Sequence, residues 1–120
     1  MARVLIIDDD APTRDVLRQL FSREGYETVE ACDGHEKVQC SQAASMDVII
    51  LDMLLPAQSG LEVIQELREV DPAVPIIAIS GYGHTGPWDF LRVAETFGVQ
   101  RTFQKPFHLW ELLKAVRDLT

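Results

Sequence analysis

The sequence has little cysteine, no excess of positive charge and no long hydrophobic run. Its two cysteines, Cys32 and Cys40, lack the spacing of metal ligands or of a redox pair, so we interpret both as buried thiols in a reducing compartment. The formal net charge of −8 argues against general binding to nucleic acid or anionic membranes, which requires an excess of Lys and Arg. No apolar stretch approaches the roughly 20 residues that span a bilayer. The first residues also lack the pattern of a signal peptide, so we expect a cytoplasmic protein.

What the sequence does contain is the composition of an ordinary globular domain. It has 120 residues, of which 47% are hydrophobic and 25% charged. A chain of this length can bury roughly two thirds of its unfolded surface in one core. We find no internal repeat or linker and predict one domain that covers residues 1–120.

Short apolar segments alternate with segments of helical periodicity. The predicted strands cover residues 3–7, 27–31, 48–52, 76–80 and 99–104. The first four helices have recognisable starts at Pro12, Asp33, Ser59 and Pro87. The expected apolar faces include Val16, Leu17, Leu20 and Phe21, then Leu61, Val63, Ile64 and Leu67, then Phe90, Ala94 and Phe97, and finally Leu109, Leu112, Leu113 and Val116. Five strands alternating with five helices predict an α/β fold with a parallel sheet covered by helices on both faces.

The apolar run 48–51 ends on the carboxylate of Asp52. Burying an unpaired carboxylate inside such a strand would cost several kcal/mol, so we expect Asp52 at the carboxyl end of the strand, where open α/β sheets bind their ligands. An isolated Asp at this place would most simply cap the strand. Asp8, Asp9, Ser80 and Lys105 also follow or end strands, however, and the fold would bring them to the same edge of the sheet.

Three carboxylates at one edge repel each other, since two charges 4 Å apart cost about 4 kcal/mol at an effective dielectric of 20. Two groups could relieve this repulsion: a hard divalent cation such as Mg²⁺, or the ammonium of Lys105. A carboxylate beside magnesium, a lysine and a hydroxyl group is also what phosphoryl transfer to aspartate requires. We interpret Asp10 as the cap of the first helix rather than as part of this site.

Together these motifs resemble the receiver domain of two-component response regulators. The resemblance is carried by residues 4–10 (VLIIDDD), Leu51-Asp52 with Pro56 and Gly60, Ile79-Ser80-Gly81, and Lys105-Pro106-Phe107, in this order over the whole chain. It implies a flavodoxin-like fold, as in the chemotaxis response regulator. Such a fold is doubly wound, with strand order 2-1-3-4-5 in the central layer of three.

The resemblance also implies the function of the site. Asp52 would accept a phosphoryl group from a histidine kinase or phosphotransfer protein, with Mg²⁺ held by Asp8, Asp9, Asp52 and the backbone carbonyl of Leu54. Ser80 would be the switch hydroxyl. Lys105 would contact the phosphoryl group. The family commonly has a cis peptide at this Lys-Pro pair, and the sequence leaves open whether Lys105–Pro106 is cis. The domain would act as a signalling switch that assists its own phosphorylation and dephosphorylation, rather than as an enzyme.

The sequence departs from the family pattern where the switch is read out. The family usually has an aromatic residue three positions before the lysine, and this chain has Thr102 there, whereas Phe103 should face the other side of the strand. We therefore predict that the readout lies in the glycine-rich segment after Ser80, with Tyr82 and Trp88 as reporters. The output domain or partner, or a second copy of the chain, would contact the face made by the fourth helix, fifth strand and fifth helix. Trp110 either marks that surface or lies flat over its neighbours.

Three other functions compete with a phosphorylated switch. Haloacid-dehalogenase-type phosphatases need a second Asp two residues after the nucleophile, where this chain has Leu54. Flavin or nucleotide binders of this fold need a phosphate-binding loop after the first strand, where residues 8–10 are acidic and would repel phosphate. A degenerate receiver that only binds partners would lack part of the site, whereas every group is present here. The identity of the kinase and of the output remains open.

Overall fold

The computed structural model describes residues 2–31, 46–53, 59–81 and 90–120. Its elements are, in chain order, β1 (Arg3–Ile7), α1 (Ala11–Arg23), β2 (Glu27–Ala31), β3 (Val48–Asp52), α2 (Gly60–Val70), β4 (Ile76–Ser80), α3 (Phe90–Thr96), β5 (Arg101–Gln104) and α4 (Leu109–Leu119). The helix predicted to begin at Asp33 lies outside the described residues, which contain four helices.

All five strands are parallel and lie in the order β2-β1-β3-β4-β5. This confirms the predicted fold and strand order. In the register of the central strands, Ile7 lies beside Leu51, and Leu51 lies beside Ala78. The residues that follow Ile7 and Leu51, Asp8 and Asp52, therefore meet at the same edge.

The hydrophobic core consists of two clusters, one on each face of the sheet. Alternate residues of β1 and β3 point to opposite faces, so Leu5 and Ile49 contribute to one cluster and Ile6 and Ile50 to the other. Helices α2 and α3 cover the first face, and α1 and α4 cover the second. Because both faces of the central strands are buried, β1, β3 and β4 are almost continuously apolar, and each large aliphatic side chain there contributes about 1.5–3 kcal/mol by burial.

The predicted helix starts are confirmed where the structure describes them. Asp10 precedes α1 and accepts a hydrogen bond from the backbone N–H of Thr13, while Pro12 lies in the first turn. Ser59 caps α2 in the same way, accepting from the N–H of Glu62 at 3.3 Å. Helix α1 ends before Gly25, whose φ of +88° is accessible to glycine at little cost.

The fifth strand is shorter than predicted. It begins at Arg101, not at Val99. The backbone N–H of Ile76 donates to the side-chain carbonyl of Gln100 at 2.7 Å, and this side chain replaces a backbone acceptor in the ladder. The backbone N–H of Gln100 still donates to the carbonyl of Ile76, so the chain runs beside β4 before the regular ladder begins.

Three predicted core residues are exposed instead. Val16, Phe97 and Leu109 have exposed fractions of 47%, 38% and 40%. Val16 and Leu109 lie at the edges of their helices' apolar faces, and both border a groove of about 400 Å³ between α1 and the segment before α4. Trp110 is 64% exposed, and its role in a partner surface stays a prediction. Among the helices of the described ranges, none has the length and apolar character needed to cross a membrane.

Candidate phosphoacceptor and metal site

The carboxylates of Asp8, Asp9 and Asp52 form one cluster at the carboxyl edge of the sheet. One oxygen from each residue lies within 4.8 Å of the others. Asp8 and Asp52 are 3% and 7% exposed, whereas Asp9 is exposed to solvent. The predicted acidic residues are thus brought together, two of them beneath the surface and one at it.

The turn between β1 and α1 fixes the position of Asp8, the first of these residues. The N–H of Asp8 donates to the carbonyl of Ala31 at 3.2 Å, which continues the pairing of β1 with β2. The carboxylate of Asp8 accepts a hydrogen bond from the N–H of Asp10 at 2.9 Å. Asp10 itself is directed away from the site, because its carboxylate caps α1 and also accepts from the Thr13 hydroxyl.

Lys105 reaches the cluster from the end of β5. Its Nζ atom lies 3.3 Å from a carboxylate oxygen of Asp52 and 3.4 Å from one of Asp8. The backbone N–H of Lys105 donates to the carbonyl of Ser80 at 2.8 Å, which places the lysine beside the fully buried Ser80 at the end of β4. The Lys105–Pro106 peptide is cis, which decides a point that the sequence had left open.

The charges perturb one another. Burial raises the pKa of Asp8 above its ordinary value, and the nearby charge of Asp52 raises it further, against the opposing effects of the Asp10 N–H and of Lys105. For Lys105, burial lowers the pKa, but the two carboxylates outweigh burial and the pKa is raised overall. Lys105 therefore stays protonated at neutral pH, and ionised Asp8 is energetically costly without a further cation.

The donor set fits a hard divalent cation. Mg²⁺ prefers carboxylate oxygens and usually retains several waters, which the exposed position of Asp9 would allow. Asp8, Asp9 and Asp52 could supply protein ligands, and the excess of negative charge in the cluster would be offset by the ion. The carbonyl of Leu54, predicted as a further ligand, lies outside the described residues.

Sequence reasoning missed a close contact between Met53 and Gly60. The N–H of Gly60 donates to the carbonyl of Met53 at 3.2 Å, and Met53 is buried. A Cβ atom at Gly60 would lie 2.7 Å from the Cα of Met53, a distance that no side chain can tolerate without movement. The glycine was noted only as part of a family motif, because a close approach between two backbones leaves no periodic signal in a sequence.

The predicted readout residues are only partly described. Thr102 is half-buried on β5, and its hydroxyl donates to the carboxylate of Glu95 on α3 at 3.5 Å. Phe103 faces the other side of the sheet and packs against Phe107, with ring centroids 5.5 Å apart. Tyr82 and Trp88 lie outside the described residues.

A parallel sheet in this order, with an acidic cluster and a lysine at its carboxyl edge, defines the class of response-regulator-like α/β proteins. Residues 4–117 match the family model of the response regulator receiver domain. The chain belongs to this family and is a receiver domain of the two-component type.

Relatives and solved structures agree with this assignment. The chain is 29% identical over 115 residues to sporulation initiation phosphotransferase F of Bacillus subtilis, a match that covers 96% of this chain and 90% of that protein. It is 34% identical over 118 residues to the response regulator MprA of Mycolicibacterium vanbaalenii, covering 98% of this chain but 49% of that protein. The chain therefore spans about half the length of the MprA regulators it matches.

Two solved structures superpose over the whole chain. The chemotaxis protein CheY4 of Vibrio cholerae has a TM-score of 0.88 and 30% identity, and the match covers 100% of this chain and 99% of that one. The response regulator TrrA of Thermotoga maritima, crystallised in complex with Mg²⁺–BeF, has a TM-score of 0.87 and 30% identity, with 100% of both chains covered.

Proposed function

We propose that residues 1–120 form one receiver domain that accepts a phosphoryl group on Asp52 and changes conformation in response. The observation that carries this proposal is the position of Asp52 at the end of a buried strand, beside Asp8, Asp9 and Lys105. A carboxylate in that position is held beside a lysine and is only slightly exposed.

In the proposed reaction, a carboxylate oxygen of Asp52 attacks the phosphorus of a phosphohistidine or a small phosphodonor. The O–P bond of an acyl phosphate forms as the bond from phosphorus to the donor breaks, and the donor leaves with the electron pair of that bond. Lys105, 3.3 Å from Asp52, would contact a phosphoryl oxygen and offset its charge. A magnesium ion held by Asp8, Asp9, Asp52 and the Leu54 carbonyl would supply further charge neutralisation when bound.

The switch would start at Ser80. A phosphoryl group carries a charge of about −2 and strong hydrogen-bond acceptors, and it would lie close to the buried hydroxyl of Ser80. Movement of Ser80 would pull on the chain that follows it, where Tyr82 and Trp88 are proposed to report the change. Thr102 lacks the ring that usually fills the space left by the switch hydroxyl, so its part in the readout is proposed to be smaller.

The proposed partners follow from this role. The phosphodonor would be a sensor histidine kinase or a phosphotransfer protein, and the output would be an attached domain, a separate protein or a second copy of the chain. The output face would be α3, β5 and α4, where Trp110 is exposed. We propose no nucleic-acid or membrane binding by this domain, and the cytoplasmic location stays a prediction.

Intact-mass measurement tests the proposal. With Mg²⁺ and acetyl phosphate the wild-type chain should gain one phosphoryl group, and Asp52→Asn should gain none. Asp15→Asn, which changes an exposed carboxylate on α1, is the matched control and should react like the wild type. Equal labelling of Asp52→Asn and the wild type would refute the assignment of the acceptor.

A further inference from the structure

Arg14 on α1 contacts the backbone of the acidic site rather than its carboxylates. One of its terminal nitrogens donates to the carbonyl oxygen of Asp8 at 2.6 Å, and the side chain is 19% exposed. That carbonyl belongs to the peptide plane that joins Asp8 to Asp9. Arg14 therefore holds the unit of backbone from which two of the three clustered carboxylates extend.

The guanidinium of Arg14 is itself held in place from β2. Its Nε lies 3.7 Å from the carboxylate of Glu30, which precedes the last residue of that strand. Arg18, one helical turn further on, approaches the same carboxylate at 3.6 Å. The two arginines thus share a helix face, a charge and an ion-pair partner, while only Arg14 is also bonded to Asp8.

Asp9 needs such backbone support more than the other two carboxylates do. Asp8 and Asp52 are buried and contact Lys105, whereas Asp9 is exposed. Repulsion from its two neighbours favours rotation of the exposed carboxylate away from the cluster. A fixed peptide plane between Asp8 and Asp9 limits that rotation to the side-chain torsions.

We infer that Arg14 is a positioning residue for the cation site: it fixes the Asp8–Asp9 peptide so that both carboxylates converge on the same ion. This inference rests on the proposed function, because it assumes that the acidic cluster binds Mg²⁺. Outer-shell groups that orient metal ligands commonly change metal affinity by about 10-fold or more when removed.

The sign of the effect separates positioning from simple electrostatics. Removing a positive charge near a cation site strengthens cation binding if the charge acts only through space. Removing a group that positions the ligands weakens it. Arg14→Gln should therefore raise the Kd for Mg²⁺ by about 10-fold. Arg18→Gln, which removes the same charge from the same helix face, should leave the Kd unchanged or slightly lowered.

Titration calorimetry with Mg²⁺ alone, on the unphosphorylated chain, measures this difference directly. Melting curves without metal should show small losses for both variants, since Arg14→Gln loses contacts with Glu30 and the Asp8 carbonyl, and Arg18→Gln loses contacts with Glu30 and Asp15. If Arg14→Gln does not fold, Arg14→Lys and Arg18→Lys replace the pair, and only Arg14→Lys should bind Mg²⁺ more weakly. Binding by the Arg14 variant that equals or exceeds that of the Arg18 variant would overturn the inference. A wild-type chain that binds no Mg²⁺ would instead refute the proposed function.

Discussion

The two ends of the parallel sheet satisfy their polar groups in different ways. At the amino end, Arg68 donates to the carbonyls of Val74 and Gly98 at 2.5 and 3.0 Å, and the carboxylate of Asp47 accepts from the backbone of Arg3 at 2.7 Å. At the carboxyl end, three carboxylates crowd together and Lys105 offers its single ammonium to two of them.

The difference shows where the fold is optimised for stability and where it is not. The donors and acceptors named at the amino end are matched within the protein. The carboxyl end carries an excess of negative charge, which is costly until a cation offsets it. Three sets of substitutions test this contrast.

The largest effect is expected from Gly60→Ala. Its Cβ would lie 2.7 Å from the backbone of Met53, and overpacking of this kind costs about 1–3 kcal/mol. We expect a loss near the upper limit of that range, because a backbone atom cannot move as a flexible side chain can. Gly81→Ala is the control at the same edge, since its Cβ would meet Lys105 at 3.8 Å, an ordinary contact. Denaturant unfolding measures both, and equal midpoints would show that the close approach is unimportant.

A matched pair of substitutions compares the two ends directly. Lys105→Met and Arg68→Met should each cost about 1–2 kcal/mol in metal-free buffer, the usual penalty for removing one hydrogen-bond partner of buried polar groups. Saturating Mg²⁺ should restore most of the stability of Lys105→Met, because the ion replaces the lost charge. Mg²⁺ should stabilise Arg68→Met only as much as it stabilises the wild type, because the acidic cluster of that variant is intact, so its deficit relative to the wild type should remain. If Mg²⁺ changed both variants equally, the contrast between the ends would be wrong.

A smaller, pH-dependent gain is expected from Asp8→Asn without metal. The raised pKa of Asp8 means that the folded protein binds this proton more tightly than the unfolded chain, whose value is close to 3.8. The contribution of Asp8 to wild-type stability should therefore fall as the pH rises from 3.8 through the raised value. The variant lacks this loss, so its advantage should be absent below pH 3.8 and complete above the raised pKa.

The size of that gain should be on the order of 1 kcal/mol, typical of a single substitution. Asparagine keeps an oxygen that can accept from the Asp10 N–H, so the turn should persist. Urea unfolding at a series of pH values measures the difference. A constant difference across the series would mean that ionisation of Asp8 has no influence on stability.

Much of the fold and site could be predicted, because the signals are local. Continuous apolar runs indicate buried parallel strands, and each carboxylate that ends such a run is placed by the strand itself. The position of Lys105 beside Asp52 followed from the same rule.

The features that could not be predicted depend on contacts that leave no local signal in the sequence. Periodicity indicates that a helix has an apolar face but not how far that face is covered, so exposed Val16 was assigned to the core. The start of β5 depends on the Gln100 side chain, which replaces a backbone group in the ladder. Arg14 was overlooked for a similar reason, since its partner is a carbonyl and carbonyls are the same at every position.

The sequence separation within the site has a consequence for folding. Lys105 contacts Asp8 across 97 positions and Asp52 across 53. Contacts between such distant residues require large loops to close, and they form slowly for that reason. The acidic residues can be brought together once β1 and β3 have paired, whereas the lysine arrives only after β5 has joined the far edge of the sheet. A chain that is still being synthesised therefore has an incomplete site until its last strand has been made and docked.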